Sequence, residues 1–411
     1  PLTAFGVQMY GGLSDSSVGL GLARLARAHW VRWPLNWREV EPENTTPDYY
    51  SWTLADRSIA NARASGHELV VTLSSNPFWA ATYQQGPIDL VPLDEVVEFV
   101  TELVERYDGD GYRDAPGSPV VTYWEFYNEP DGANEWAARL GYGSYWGDYG
   151  DLYAAMLCRV YPAVKAANPN AKVVIGGLAY DLFVDEGGSF VREFIDDVLL
   201  SGGGNCFDIM NFHYYPAFEG RWNAYGNGLA GKASYLRSKL SSYYVSKPMM
   251  VTEAGWHSDY YSEEFPGSPE IQSRYVVKLF TQSAAAGVQA TMWWTWIDPA
   301  PPYGRNGLLT DLLEPKLSFT AYQVAAEKIG TARFVRIQPT DPEIEGYRFE
   351  TSTGQPLFVF WSRTEEVRWV WVPVPMVWLT DMYGQPLGRV VDTDDGTVDG
   401  RVGVYVGVNP V

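Results

Sequence analysis

Two short runs of this 411-residue chain deliver a glutamate to the end of an apolar stretch: Trp124-Glu125-Phe126-Tyr127-Asn128-Glu129-Pro130 and Met249-Met250-Val251-Thr252-Glu253-Ala254-Gly255-Trp256. Two carboxyl groups set facing each other can divide a reaction, one giving up a proton and the other attacking as the bare carboxylate. Side chains alternate along a strand, so Glu125 and Glu129 are expected on one face, with Glu129 nearer the end and Pro130 closing the ladder beside it. An Asn-Glu-Pro tripeptide alone would turn up by chance in on the order of one chain in twenty of this length, given average residue usage. Thr-Glu-Ala-Gly alone could be a strand end with a surface glutamate. Their paired placement carries the reading.

The elements that must hold them follow from the hydrophobic pattern. Apolar runs at 5–9, 30–33, 69–73, 120–126, 173–175, 209–213, 249–252 and 290–296 read as strands separated by amphipathic stretches. The clearest helix has Leu93, Val96, Val97, Val100, Leu103, Val104 and Tyr107 on one face, acids largely on the other and Arg106 near its end. Further helices are expected over 268–286, halted by Gly287, and over 317–329, ending at Gly330. This alternation predicts an α/β protein whose residues 1–330 form a (β/α)8 TIM barrel, with working residues at the C-terminal strand ends. Glu129 and Glu253 then end strands four and seven. A doubly wound sheet is the rival, but Gly11-Gly12-Leu13-Ser14 after the first strand lacks the phosphate-binding spacing of a nicotinamide or flavin enzyme.

After Gly330 the period changes. Strands are expected over 334–337, 347–350, 357–361, 367–374, 377–379, 389–391 and 402–408, with turns such as Asp381-Met382-Tyr383-Gly384 and Asp394-Asp395-Gly396. They predict a small C-terminal all-β, sandwich-like domain over 331–411, packed directly on the barrel and structural rather than catalytic.

Composition narrows the partners. The 17 Trp and 28 Tyr exceed what a core needs, and such rings suit sugar-binding clefts, which meet the C–H face of a pyranose. A formal charge of −20 argues against nucleic acid and anionic membrane surfaces, and no apolar stretch has the length of a membrane span. The four histidines, His29, His67, His213 and His257, form no ligand pattern, so neither a metal nor another cofactor is expected. Cys158 and Cys206 fit no disulfide framework and could pair only if the fold brings them together; two separate buried thiols are the preferred reading. A leader removed before residue 1 would be compatible with a secreted or cell-surface protein. Oligomeric state is left open.

With the strands assigned, the barrel resembles glycoside hydrolase clan A, whose members end strand four in an Asn-Glu pair, often Asn-Glu-Pro, and strand seven in a nucleophilic glutamate. The resemblance covers 1–330 and implies a retaining glycoside hydrolase that cleaves β-linked glycosides or polysaccharides through a covalent glycosyl-enzyme. It makes Glu129 the acid/base, Glu253 the nucleophile and Asn128 the partner of the sugar 2-hydroxyl. At the end of strand six, His213 and Tyr215 match the clan's histidine and tyrosine. A phenol can position a carboxylate nucleophile, and an imidazole can orient or tune the acid/base. Arg32 is implied to pair with Glu253 and keep it ionised.

In Thr291-Met292-Trp293-Trp294-Thr295-Trp296, alternation puts Trp294 and Trp296 on one face and Trp293 on the other. Clan members place a tryptophan floor beneath the sugar here, and Trp294 is the first choice, with core packing the alternative for each ring. Asn76, Phe78 and Trp79 follow strand three and are expected to line the cleft. Aromatic rim loops at 136–149, 214–225 and 256–265 could wall a cleft for several sugars or close a pocket over one. The β appendage makes family 39 the most similar, with family 5 also compatible. A transglycosylase on the same residues and a non-catalytic carbohydrate-binding barrel are the competing readings.

Overall fold

The computed structural model describes residues 3–134, 145–263, 265–300, 304–338, 341–392 and 399–407. Eight parallel strands form the barrel: β1 Phe5–Gln8, β2 Trp30–Asn36, β3 Glu68–Ser74, β4 Tyr123–Asn128, β5 Lys172–Gly177, β6 Met210–Tyr214, β7 Met249–Ala254 and β8 Thr291–Trp293. Their order is β5-β4-β3-β2-β1-β8-β7-β6, and the bridges Val174–Ile209 and Leu178–Phe212 join the two ends.

Period-two alternation builds the interior in layers. Trp30, Val70, Val174, Ile209, Met250 and Met292 form an apolar cluster inside the barrel. Two residues further along their strands come Arg32, Thr72, Asn211 and Thr252, and two beyond Tyr123 comes Glu125, all buried. The lower layer excludes water, and the upper one is a polar network that must satisfy itself.

The helices cover the outside by the rule of one apolar stripe. Leu93–Arg106 buries Val96, Phe99, Val100, Leu103 and Val104, with Asp94 and Glu95 in its first turn and Arg106 in its last. Pro269–Ala285 is capped by Ser268, whose hydroxyl accepts from the Ile271 amide at 3.1 Å. Leu317–Lys328 packs beside it. Among the described residues, no helix is long and apolar enough to cross a membrane.

Two expectations fail. Cys158, on the helix Gly150–Ala167, and Cys206, just past the turn Gly203–Asn205, are not separate thiols but a disulfide with Cα atoms 4.9 Å apart. Packing of that helix against the turn supplies a closeness that a spacing of 48 residues does not encode. The eighth strand stops at Trp293 rather than continuing to 296, and the Trp294 amide closes its ladder on the carbonyl of Ala254 at 2.8 Å.

The C-terminal residues form a three-stranded antiparallel sheet of β9 Arg333–Ile337, β10 Ile344–Glu350 and β11 Pro356–Ser362. Two ribbons join it, one pairing β12 Arg368–Val372 with β15 Val402–Val406, the other β13 Met376–Thr380 with β14 Pro386–Val391. The expected turn at 394–396 and the end of the last expected strand, residue 408, lie outside the described residues. Tyr347, Phe349, Val359, Trp361 and Met382 share one apolar core with the barrel helices. Gln282 of Pro269–Ala285 also donates to buried Glu345 at 3.0 Å.

Candidate active site

The polar layer is organised around Glu125, which is fully buried. Arg32 donates to it in a fork, Nε to Oε2 at 2.7 Å and Nη2 to Oε1 at 2.9 Å. The Thr72 hydroxyl, Asn211 Nδ2, the Thr252 hydroxyl and the Gly177 amide donate to it as well, at 2.6, 2.8, 3.0 and 2.9 Å. Burial would raise its pKa, but Arg32's charge and hydrogen bonds hold Glu125 below the usual carboxylate range. Arg32 was read from the sequence as the partner of Glu253. Its main partner is Glu125, while its Nη1 lies 3.3 Å from Glu253 Oε2 and its Nη2 also donates to Asn128 Oδ1 at 2.7 Å.

Above this layer both strand ends depart from regular alternation. Tyr127 and Glu129 have φ of 66° and 45°. Glu125 is sealed under Arg32 while Glu129 reaches His213, so the two carboxylates occupy different environments. In β7 a register shift against β6 pairs Phe212 with Val251 but His213 with Glu253, leaving Thr252 as the extra residue of a bulge. Thr252 therefore contacts Glu125, Asn211 and His213, while the next residue, Glu253, contacts Arg32 and Tyr215.

His213 lies between the two candidate carboxylates. Its Nδ1 is 2.9 Å from Glu129 Oε1 and 3.9 Å from Glu253 Oε2, and its Nε2 is 3.2 Å from Thr252 Oγ1. Gly177 makes room for the ring, since a Cβ there would come within 2.1 Å of His213 Nε2. Burial lowers His213 to about 4, so the imidazole is neutral at neutral pH. Tyr215 donates its hydroxyl to Glu253 Oε1 at 2.5 Å.

The two carboxylates differ in surroundings. Burial, with the charge of Asp181 acting the same way, pushes Glu129 up to about 7. Burial also raises Glu253, with Glu129 adding to it, but Arg32 and the Tyr215 hydroxyl oppose the rise. Carboxylate oxygens of Glu129 and Glu253 and a nitrogen of His213 all lie within 4.8 Å of one another. These three, and the loop acids Asp108, Asp110 and Asp114, are the sets among the described residues whose donor atoms converge closely enough for a cation.

Of the remaining expected residues, Asn128 offers Oδ1 to Arg32, which leaves its amide hydrogens for a ligand. Trp294 is half-buried, and its indole donates to the hydroxyl of Tyr10 at 2.8 Å. Trp296 cannot reach a cleft: it is 1% exposed and its indole donates to the Val18 carbonyl. Asn76 is likewise buried, accepting from Tyr127 and donating to the carbonyls of Tyr83 and Gly86. It shapes the loop instead of lining the cleft. Trp79 is half-buried, with its indole tied to the Glu41 carbonyl and its ring edge-on to Trp37, while Phe78 is exposed. Residues 135–144 of the first aromatic rim loop, and Glu264 of the third, lie outside the described residues.

Sequence reasoning missed Tyr10, Thr252, Asn211 and the buried trio Asp131, Asp181 and Lys232. Lys232 is fully buried and lies 2.9 Å from Asp181, and Asp131 accepts the amides of Ala179 and Tyr180. That last contact anchors the segment after β5 to the one after β4. A lysine on a helix and aspartates in loops carry no sequence signal of burial. Only the i+2 relation of Asn211 and Thr252 to apolar strand residues could have placed those two inside the barrel.

The fold is that of barrel glycoside hydrolases with an attached β domain, as the resemblance to clan A implied. A family 39 glycoside hydrolase from the gut symbiont Bacteroides cellulosilyticus WH2 superposes with a TM-score of 0.69, at 20% identity over 99% of this chain and 79% of that one. A GH30 endoxylanase from Clostridium papyrosolvens C71 gives 0.64, at 13% identity over 99% and 94%. A monomeric β-xylosidase from Caulobacter crescentus CB15 gives 0.62, at 15% identity over 99% and 94%. No family model and no curated protein matches the sequence. At these identities the likeness is one of fold.

Proposed function

We propose that this protein is a retaining glycosidase acting on β-linked glycosides, with Glu129 as acid/base and Glu253 as nucleophile. The observation that carries the reading is the carboxylate pair at the barrel mouth, with oxygens within 4.8 Å and unlike surroundings. A retaining mechanism requires carboxyl groups about 5–5.5 Å apart, and an inverting one about 6.5–9.5 Å. The neighbours in fold, a family 39 glycoside hydrolase, an endoxylanase and a β-xylosidase, support the same class.

In the first step Glu253 attacks the anomeric carbon as a carboxylate. The glycosidic C–O bond breaks, and Glu129 gives its proton to the departing oxygen. In the second, Glu129, now ionised, takes a proton from water, the hydroxyl oxygen bonds to the anomeric carbon, and Glu253 leaves as carboxylate. The pKa of about 7 suits Glu129 to hold the first proton near neutral pH. Tyr215 and Arg32 each engage one oxygen of Glu253, which orients it for attack. Asn128, next to Glu129, is assigned the sugar 2-hydroxyl, and Trp294 the floor beneath the ring.

Proton NMR of the first-formed sugar during hydrolysis of an aryl β-glycoside tests this reading. The β-anomer should appear first and mutarotate later. The α-anomer appearing first would overturn retention, and no turnover across a panel of aryl β-glycosides would overturn the glycosidase assignment.

A further inference from the structure

Beside the nucleophile, the segments following β6, β7 and β8 line an open cavity of about 260 Å³. Its walls include Tyr215, Phe218, Trp256, His257, Tyr261 and Phe265. Pockets for drug-sized ligands run to about 300–1,000 Å³, so this one has room for a single ring. Trp256 is nearly buried and stacks on His257, with ring centroids 5.0 Å apart, whereas Tyr261 is 70% exposed at the rim. Much of the polar edge is already engaged: the Trp256 indole donates to the Pro266 carbonyl, His257 Nδ1 bonds the Asp259 carbonyl and Asn306 Nδ2 bonds the Gly304 carbonyl. What remains is mainly aromatic surface, suited to the C–H face of a sugar ring.

The position of the cavity says which part of a substrate enters it. Tyr215 forms one wall and also donates its hydroxyl to Glu253, so the cavity adjoins the carboxylate that attacks. Glu129, which must touch the departing oxygen, follows β4, outside the arc of β6, β7 and β8 whose loops line the pocket. We infer that the cavity is a subsite for a second pyranose on the sugar that stays on the enzyme, and not for the leaving group. The preferred substrates are then glycosides of an oligosaccharide or of a glycosylated sugar. This inference rests on the glycosidase reading above and adds the substrate class.

Rates on p-nitrophenyl β-glucoside and β-xyloside, compared with the cellobioside, gentiobioside and xylobioside, test it. At least one disaccharide donor should exceed its monosaccharide parent in kcat/KM by about ten-fold or more, the low end of what one apolar contact in a specificity pocket supplies. Phe218→Ala and Tyr261→Ala should erase most of that advantage and leave the monosaccharide rate near wild type. They should also slow hydrolysis of the glycosyl-enzyme formed from the disaccharide, because the retained sugar is still bound in the second step. Equal rates on both donor classes would overturn the subsite while leaving the glycosidase reading intact. Variants that respond only to the size of the leaving group would assign the cavity to the other side of the bond. A wild-type enzyme that cleaves none of the panel would overturn both readings.

Discussion

Arg32 sets its guanidinium fork against Glu125, at 2.7 and 2.9 Å, and turns only Nη1, at 3.3 Å, toward Glu253. The charge expected to keep the nucleophile ionised is largely matched by a second buried carboxylate. Glu125→Gln preserves the shape and leaves that charge unmatched, so the pKa of Glu253 should fall and the acidic limb of the kcat/KM profile move to lower pH. An unmoved limb would mean that Arg32 acts on Glu253 by geometry alone. Arg32→Ala is the harsher change: it strands a buried carboxylate and should cost on the order of 3–5 kcal/mol of stability.

Glu129→Ala should retain much of its first-step rate on aryl glycosides with activated leaving groups, which depart without a proton, and lose it on natural ones. Its second step slows because water must be deprotonated, so added azide should restore turnover and give a β-glycosyl azide. Glu253→Ala should be nearly inactive on every substrate, with azide yielding the α-product if any. The opposite stereochemistry in the two variants would exchange the roles.

The alkaline limb of kcat/KM should belong to Glu129. Its pKa of about 7 in the free enzyme means that the proton needed by the leaving group is lost as pH rises through that value. Steady-state rates from about pH 3.5 to 9 on a poor leaving group should therefore fall above about pH 7. A decline beginning near the ordinary carboxylate range, about pH 4.5, would refute protonated Glu129 as the working form.

The same shift has a stability consequence. Burial raises Glu129 from 4.5 to about 7, so between those values the folded state binds a proton that the unfolded chain has released. That stabilising contribution is fully present below about pH 4.5 and is lost as pH rises through 7. Relative to wild type, Glu129→Gln should gain stability between pH 5 and 8, by on the order of 2–3 kcal/mol, because its neutral amide resembles the protonated acid. Urea midpoints at the two pH values check this, and a constant difference would contradict it.

The Cys158–Cys206 bridge spans 48 residues between elements that carry none of the assigned site residues. Cys158→Ala/Cys206→Ala should cost about 2–4 kcal/mol in chemical unfolding while leaving kcat/KM near wild type. Such a bridge persists in oxidising surroundings, so reductant should lower the melting temperature of the wild type and not that of the double variant.

Local pattern in the sequence determined the strand order, the seven-strand appendage, and the arrival of Glu129, His213 and Glu253 at the same end of the barrel. Apolar periodicity and strand-end position are properties of neighbouring residues, and they survive folding wherever the ladder stays regular. The tertiary structure decided what depends on departures from that ladder or on distance through space. Positive φ at Tyr127 and Glu129 and the bulge at Thr252 re-aim the carboxylates, so counting by twos put Glu129 nearer the mouth than Glu125 but could not give either its partners. The end of β8 at Trp293 separates Trp294 at the mouth from Trp296 in the core. The pairing of Cys158 with Cys206, and the choice of Arg32 between partners 93 and 221 residues away, were settled only when packing set the distances. Ionic and covalent partners are chosen by proximity across the core, and sequence spacing does not measure it.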